Sequence, residues 1–200
     1  MPYHPMVHYR RSVRLRGYDY AQYGAYFVTI CVCRRECLLG VVARDNVRLT
    51  TMGEIVRTEW LESEEIRPGL QVDAFIVMPN HFHGIVILPV GAHSSAPFSV
   101  EANHALGAHS RALNLGADRT SRAHSSAPLR RPPRSLGSFV AQFKAVTTRR
   151  INAARHTPGM PVWQRNYYEH IVRDEGELEA IRSYIADNPR RWAEDRENPL

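Results

Sequence analysis

The chain has 200 residues, 44% of them hydrophobic, and a formal net charge of +6 from 26 basic and 20 acidic side chains. This length and composition predict one domain with an ordinary core. No apolar run approaches the roughly 20 residues that span a bilayer, and the N-terminus lacks the apolar core of a secretory signal, so we expect a cytoplasmic protein without a membrane partner. The positive charge suits a polyanionic partner such as nucleic acid.

The first elements predicted along the chain are a strand and a helix. Residues 26–32 (YFVTICV) are aromatic and β-branched, which is typical of a strand. The segment 51–54 (TMGE) has the form of a capping box, and the apolar residues after it recur at roughly helical spacing. We therefore expect a helix over residues 52–65.

A β-hairpin and then a long insertion follow. The apolar runs 72–78 and 81–88 are separated by Pro79-Asn80, residue types that favour a tight turn. Residues 91–134 differ in character, because they are rich in Ala, Ser, Arg, Pro and Gly and have no sustained apolar period. We expect a mobile, low-complexity insertion at that point.

The C-terminal third predicts a helix, a strand and a last helix. Ser138 is a candidate N-cap before an apolar helical stripe, and residues 163–172 (WQRNYYEHIV) suit a strand. Asp174 and Glu177 form a second capping-box pattern for the last helix. The order β-α-β-β-α-β followed by α predicts an α+β, ferredoxin-like antiparallel sheet covered on one face by helices, with an additional C-terminal helix.

These elements suggest a simple division of the chain. We expect a basic N-terminal arm over residues 1–24 and a single domain over residues 25–200, interrupted by the insertion at about 91–134. Many unrelated functions share the predicted fold, so function has to be argued from a site.

His81 and His83 are the sharpest chemical feature of the sequence. Side chains alternate along a strand, so these two imidazoles point to one face of the predicted hairpin while Phe82 points to the other. Two imidazoles fixed on one rigid strand are a natural half of a metal site. The alternative is a pair of polar residues on a solvated face.

Tyr184 and Asn188 lie four residues apart on the last predicted helix and therefore share one flank of it. Pro189 biases Asn188 away from helical conformation, so we expect this amide at the helix end, where its oxygen could complete a metal's ligand shell. The alternative is a half-buried core tyrosine and an Asn that caps the helix.

Four segments taken together resemble the single-tyrosine HUH transposases, and within them the REP-associated tyrosine transposases. They are YFVT at 26–29, MPNHFH at 78–83, WQRNYYEH at 163–170 and YIADNP at 184–189. The resemblance covers most of the chain except the insertion, which departs from the compact pattern of the family.

The resemblance implies that Tyr184 is the nucleophile and that His81, His83 and Asn188 hold a divalent cation, Mg²⁺ or Mn²⁺. Imidazoles suit Mn²⁺ whereas phosphate and water suit Mg²⁺, so the sequence leaves the metal open. The resemblance further implies cleavage and strand transfer of single-stranded or hairpin DNA through a covalent 5′-phosphotyrosine intermediate. It is compatible with a monomer or a homodimer, in a bacterial protein that associates with the nucleoid when bound to DNA.

Several basic side chains are candidates for contacts with DNA phosphates. Those of the arm are followed by Tyr18, Tyr20 and Tyr23, a combination of charge and aromatic rings that suits backbone contact and base stacking. The candidates are Arg10, Arg11, Arg14, Arg16, Lys144, Arg149, Arg150, Arg190 and Arg191. On the last predicted strand, Glu169 and His170 are candidates for proton transfer or for orienting a metal ligand.

Three alternatives remain open at the level of the sequence. Tyr167 and Tyr168 are rival nucleophiles, although neighbours on a strand face opposite ways. The protein could instead be a nucleic-acid-binding module without catalysis, since RNA-recognition domains use the same architecture. It could also be a metal-dependent nuclease that activates water and uses Tyr184 only structurally.

Overall fold

The computed structural model describes residues 18–89, 134–195 and 197–198. The predicted insertion lies outside the described residues except for its last residue, and so do four of the predicted DNA contacts, Arg10, Arg11, Arg14 and Arg16. Among the described helices, none is long and apolar enough to cross a membrane.

The described chain folds into an antiparallel sheet with helices, which confirms the predicted α+β class. In chain order the strands are β1 (Gly24–Cys31), β2 (Gly40–Ala43), β3 (Asn46–Leu49), β4 (Gln71–Val77), β5 (His81–Leu88) and β6 (Tyr168–Val172). The helices are α1 (Thr51–Leu61), α2 (Ser63–Ile66), α3 (Leu136–Arg155) and α4 (Glu175–Asp187). The main sheet has the order β4-β5-β1-β6, so β5 and β1 are its central strands.

The two faces of the main sheet carry different helices. Side chains alternate along a strand, so even-numbered residues of β1 and β5 meet α1 and α3, and odd-numbered residues meet α4. The first face holds the larger core, in which the Trp60 and Phe82 rings pack 4.6 Å apart. The second face holds a smaller core of residues from β1, β5 and α4, namely Phe27, Ile85, Leu178, Ile181 and Ile185. The additional C-terminal helix, α4, crosses the side of the sheet that α1 and α3 leave open, so the sheet is covered on both faces.

The β2–β3 hairpin is an element that the sequence did not predict. Its turn residues Arg44 and Asp45 have φ angles of 49° and 62°, the left-handed conformation of a tight hairpin turn. Each of the two strands has only four residues, and Val41 in β2 is apolar but largely exposed. The alternation of apolar and polar residues is therefore too short and too weak to indicate a strand. This hairpin lies immediately before α1.

Two predicted helix starts are wrong by one turn or less, and one is confirmed. The side chains of Thr50 and Ser135 accept the capping hydrogen bonds of α1 and α3, where Thr51 and Ser138 were predicted. In each case the predicted and the observed cap are the same type of residue, so residue type does not distinguish them. The observed caps are the ones with an extended backbone conformation. The predicted cap of α4 is correct, because Asp174 accepts from the amide of Glu177.

The strand predicted over residues 163–172 pairs with β1 in the sheet only from residue 168 onward. Trp163 makes an isolated bridge to Val32, and the chain between this bridge and β6 leaves the sheet. Its carbonyl groups instead accept hydrogen bonds from Lys144 Nζ, at Gln164, Arg165 and Asn166. The composition of this aromatic segment favours a strand, but its first part forms a loop bound by Lys144.

An ion pair between Asp73 and Arg182 fastens α4 to the edge strand β4. Asp73 lies where the register between β4 and β5 shifts, and its carboxylate accepts from Arg182 Nε at 3.1 Å and from Nη2 at 2.6 Å. The hydrogen bond from Arg182 is the main cause that lowers the pKa of Asp73, and burial opposes it. This pair helps to hold α4 against the sheet.

We expect Asp73→Asn to lower the free energy of unfolding by about 1 kcal/mol at pH 7. Because the folded-state pKa of Asp73 is depressed, the stabilisation is complete above the unfolded pKa of about 4 and is lost as the pH falls through the lower folded value. Urea unfolding at pH 7 and at pH 3 measures this, and the difference in free energy of unfolding between the two proteins should be smaller at pH 3 than at pH 7. Glu179→Gln removes an exposed partner of the same arginine and serves as the control, with no expected change.

Candidate active site

Strand β5 places His81 and His83 side by side on the face that α4 covers. In the ladder between β5 and β1 they stand opposite Cys31 and Thr29, and their ring centroids are 4.5 Å apart. Both are buried, with 0% and 4% exposure. The alternative of two solvated histidines is therefore wrong, because α4 and the C-terminal residues cover this part of the sheet.

Both imidazoles are oriented by a partner at Nδ1. Asn80 donates from Nδ2 to the backbone carbonyls of Arg35 and Glu197, which turns its Oδ1 toward His81 Nδ1 at 2.8 Å. An amide oxygen only accepts, so His81 carries its proton on Nδ1 and presents a lone pair at Nε2. His83 Nδ1 lies 2.8 Å from Thr29 Oγ1. A hydrogen bond at one ring nitrogen fixes the orientation of an imidazole, and the other nitrogen can then bind a metal.

Helix α4 brings Tyr184 and Asn188 to the two imidazoles. Its apolar stripe packs against the sheet, and this fixes the flank on which Tyr184 lies. The phenol oxygen is 3.5 Å from His83 Nε2, at the outer limit of hydrogen-bond distance, and the two ring centroids are 5.4 Å apart. Phe27 supports both rings, at 5.4 Å from His83 and 6.0 Å from Tyr184.

Asn188 caps α4 in a conformation that differs from the predicted one. It ends the helix as expected, but its φ of −56° and ψ of −41° are still helical, so the prediction that Pro189 moves it out of this region is wrong. The bias before proline is a preference, and here the chain continues in a turn in which Arg191 N donates to Asn188 O at 3.2 Å. The helical conformation keeps the Asn188 side chain one turn beyond Tyr184 and 3% exposed.

Burial sets the protonation states of the site. It lowers the pKa of His81 to about 3, against a smaller raising effect of the Asn188 amide, and lowers the pKa of His83 well below its usual value. Burial also raises the pKa of Tyr184 to about 12, with smaller lowering effects from Asn188 and Arg191. At neutral pH the imidazoles are neutral and can act as ligands, and the phenol keeps its proton.

The polar atoms at the centre of the site suit a cation. His81 Nε2 and Asn188 Oδ1 are buried and have no hydrogen-bond partner among the described residues. Two buried acceptors without donors are costly, and a metal ion would satisfy both. The described residues contain no group of three or more His, Cys, Asp or Glu side chains placed to hold a metal, so the predicted set depends on the Asn188 amide as its third member.

The structure also brings to the site residues for which sequence reasoning had assigned no role. Asn80 and Thr29 orient the imidazoles, whereas the sequence pattern predicts only a turn position for Asn80. Asp195 approaches from the C-terminal end, with Oδ2 3.8 Å from His81 Nε2. Asn80 belongs to the MPNHFH segment of the family resemblance, and this segment was the sequence signal that could have indicated its role. Asp195 lies in a charged stretch without any motif, so no such signal was present.

The two residues of β6 proposed to assist the site are not brought to the imidazoles. Glu169 is paired with Val28 in the ladder and therefore faces the α1 and α3 side of the sheet. His170 faces the α4 side, where its Nε2 lies 2.8 Å from Glu177 Oε1, within a partly buried pair. Glu177 also accepts from the Arg173 amide, so this pair closes the junction between β6 and α4.

The predicted phosphate-binding side chains that the structure describes fall into two groups. Lys144 and Arg150 have internal partners, since Arg150 pairs with Glu59 and Glu62 on α1 and Lys144 binds the loop before β6. The remaining three, Arg149, Arg190 and Arg191, are exposed, and Arg190 also makes an exposed ion pair with Asp187 at 3.5 Å. Arg191 is the one whose charge acts on Tyr184.

Comparison with known proteins shows a relative of this chain and a solved structure with its fold. No family model matches the chain. An uncharacterized protein of Haemophilus influenzae is 35% identical over 196 residues, which cover 97% of this chain and 96% of that protein. A solved structure of a REP-associated tyrosine transposase bound to a REP hairpin aligns with a TM-score of 0.50 at 20% identity, over 93% of this chain and 74% of that chain. The chain therefore belongs to the same family as the Haemophilus influenzae protein and has the fold of a REP-associated tyrosine transposase, as the sequence resemblance predicted.

Proposed function

We propose that this protein cleaves and rejoins single-stranded DNA through a covalent link between Tyr184 and a DNA phosphate. The observation that carries the proposal is the convergence of the Tyr184 hydroxyl, 3.5 Å from His83 Nε2, with the buried acceptors His81 Nε2 and Asn188 Oδ1. A binding surface has no need to bury a phenol against two oriented imidazoles. A site for phosphoryl transfer needs a nucleophile and a cation in this relation.

The reaction exchanges one phosphodiester bond for another. The Tyr184 oxygen attacks phosphorus in line, the bond from phosphorus to the 3′ oxygen breaks, and that oxygen takes up a proton while the phenol loses one. The product is a 5′-phosphotyrosine link and a free 3′-hydroxyl, which can attack the link again and restore a DNA strand. The phosphodiester energy is conserved in the tyrosyl ester, so rejoining needs no nucleotide cofactor.

The free-energy cost of removing the proton from the Tyr184 phenol is the barrier that this chain's residues must lower. With its pKa raised to about 12 by burial, Tyr184 is a weak nucleophile until its proton leaves. The Asn188 amide and the Arg191 guanidinium both favour the phenolate. Arg191 is also exposed, so it can contact a DNA phosphate beside the attacking oxygen.

His81, His83 and Asn188 are the residues that would hold a divalent cation, Mg²⁺ or Mn²⁺. The tautomer of His81 and the orphaned Asn188 oxygen fit this role. When bound, the cation would neutralise phosphate charge and orient the scissile bond. The Asn80 and Thr29 side chains keep the two imidazoles in place for it.

The proposed substrate is single-stranded or hairpin DNA, on two grounds. The solved structure with the same fold is bound to a REP hairpin. The net charge of +6 favours a polyanion, and exposed Arg149 and Arg190 add phosphate contacts to that of Arg191.

Incubation of the full chain and Mn²⁺ with a labelled single-stranded hairpin oligonucleotide tests this function. We expect a covalent protein–DNA species that survives denaturing gel electrophoresis, together with a shortened strand ending in a 3′-hydroxyl. Free nicks without an adduct would instead identify a water-using nuclease, and intact DNA with a shifted native mobility would identify a binding module. Either result contradicts the proposal.

A further inference from the structure

The segment that enters β6 contains two residues more than the part of the chain it runs beside. Trp163 forms an isolated bridge with Val32. Tyr168 stands opposite Thr29 in the ladder between β1 and β6. Between these two pairs the β1 side has two residues, whereas the opposite side has four, residues 164–167, which we call the bulge loop. A surplus of residues in one strand forces part of it out of the ladder, and such bulges re-aim side chains beside active sites.

Lys144 on α3 holds the bulge loop in shape. Its ammonium group donates to the carbonyl groups of three consecutive residues, Gln164, Arg165 and Asn166, the last two at 3.2 Å and 3.4 Å. An ammonium group has three donors, and the three carbonyl groups match them in number. These carbonyl groups are turned toward α3 and cannot pair with β1, so the loop curves around the ammonium group.

The first residue of the bulge loop is fastened to the end of β1. The Gln164 amide donates to Cys31 O at 2.9 Å, and its Nε2 donates to Val32 O at 3.3 Å. Trp163, just before it, donates from Nε1 to Thr147 Oγ1 on α3 at 2.8 Å. The loop is therefore fixed to both β1 and α3. A preformed loop loses little conformational entropy when its side chains bind a ligand.

The bulge loop lies at the end of the sheet that carries the two imidazoles. Cys31, to which the loop is bonded, stands opposite His81 in the ladder between β1 and β5. Thr29, which stands opposite Tyr168 at the other end of the loop, is the residue whose hydroxyl lies 2.8 Å from His83 Nδ1. The loop and β5 thus flank β1 from its two sides, about 10 Å apart at the usual spacing of strands. Nucleotides next to a phosphate bound at the imidazoles would come within reach of the loop.

Arg165 and Asn166 are the side chains that the bulge loop presents. Both are exposed, and within the described part of the chain neither side chain has a hydrogen-bond or ion-pair partner. A guanidinium group can bind the edge of guanine through two hydrogen bonds, and a carboxamide can bind the edge of adenine in the same way. Bases of a single strand leave these edges open. Asn166 carries no charge, so the pair suits a base edge better than a phosphate.

We propose that Arg165 and Asn166 determine which nucleotide next to the scissile phosphate the protein accepts, by binding the edge of its base, and that Lys144 is the residue that positions them. The proposal rests on the proposed attack of Tyr184 on single-stranded DNA. Lys144 then acts through the shape of the loop and not through the phosphate contact that the sequence predicts. The surplus of two residues in the bulge loop is what brings the two side chains out of the sheet.

A binding selection with the full chain tests base recognition. The parent protein is Tyr184→Phe with Mn²⁺, and the ligands are hairpin oligonucleotides with randomised single-stranded flanks. The bound fraction is separated on a native gel and sequenced. We expect the parent to enrich one nucleotide at a flank position, and Arg165→Ala or Asn166→Ala to reduce this enrichment about tenfold. Arg173→Ala is the matched control, because it removes the same charge as Arg165→Ala from an exposed position beyond the far end of β6, and it should keep the preference.

The outcomes of this selection separate the inference from the proposed function. An equal loss of affinity for every sequence in Arg165→Ala would identify a phosphate contact and overturn base recognition. A preference that persists in both loop variants, or that the parent lacks, overturns it as well. Each of these results leaves cleavage by Tyr184 standing, whereas a parent that binds no single-stranded DNA overturns both proposals.

Lys144→Met tests the positioning role. It removes the three donors and keeps most of the aliphatic stem, so we expect the nucleotide preference to fall as in Arg165→Ala while the Mn²⁺ affinity is unchanged. Thermal unfolding shows whether the variant is folded. Lys144→Arg retains a cation with donors for the same carbonyl groups and should recover part of the preference. A full preference in Lys144→Met, or none in a folded Lys144→Arg, overturns the positioning role.

Discussion

Tyr184→Phe is expected to abolish the covalent protein–DNA adduct and to reduce strand cleavage by roughly a thousandfold or more, because it removes the attacking oxygen and nothing else. The phenylalanine ring keeps the contacts with Phe27 and His83. The hydrogen bond that is lost is long, so the free energy of unfolding should change by less than about 1 kcal/mol. Gel analysis of labelled oligonucleotides measures the adduct, and Mn²⁺ titration should show unchanged metal binding.

Tyr168→Phe is the matched control for this variant. Tyr168 lies on the same face of the sheet, 6.4 Å from Phe27, and was a rival nucleophile by sequence. Tyr168 stands opposite Thr29 in the β1–β6 ladder, whereas Tyr167 packs on the opposite face of the sheet. An adduct that survives Tyr184→Phe but disappears in Tyr168→Phe would place the nucleophile on β6 and refute the assignment.

Loss of one imidazole is expected to have the second largest effect. His81→Ala should weaken Mn²⁺ binding and reduce adduct formation by at least about a hundredfold, since even residues that only orient a metal ligand contribute ten- to a hundredfold. The orphaned Asn188 oxygen loses the neighbour with which it would share the cation. Adduct yield as a function of Mn²⁺ concentration measures the effect, and high Mn²⁺ should restore part of the activity.

His156→Asn controls for the removal of an imidazole elsewhere. His156 is exposed at the end of α3 with a φ of 56°, a conformation that Asn tolerates well, so fold and activity should be retained. His81→Ala also deletes a buried side chain, so thermal unfolding without metal must show that it remains folded. A folded His81→Ala protein with undiminished, chelator-sensitive adduct formation would contradict the assigned ligand.

Local patterns accounted for most elements that build the site. The bounds of β5 agree with the prediction because a tight turn precedes an uninterrupted apolar run, and alternation then places His81 and His83 on one face. The cap at Asp174 and the apolar stripe of α4 likewise follow from short-range spacing. Each of these features depends on residues within about one turn or one strand of each other.

Other features depend on contacts between distant parts of the chain. The aromatic run before β6 has strand composition, yet Lys144 from α3 binds its carbonyl groups and part of it remains a loop. Arg150 was predicted to contact DNA phosphate because it is a basic residue on the predicted helix. In the structure it forms an ion pair with Glu59 on α1. Composition identifies such residues as basic or aromatic and leaves their partners undetermined.

The sequence by itself determined the α+β class, the pairing of the two imidazoles on one strand and the placement of Tyr184 and Asn188 on one helix flank, since all of these follow from the periods of strands and helices. Only the tertiary structure decided that α4 crosses the face opposite α1 and α3, that Asn80 sets the His81 tautomer, and that Asp195 enters the site. The physical reason is that burial and hydrogen-bond partners are properties of residues far apart in the chain, and no local spacing encodes them.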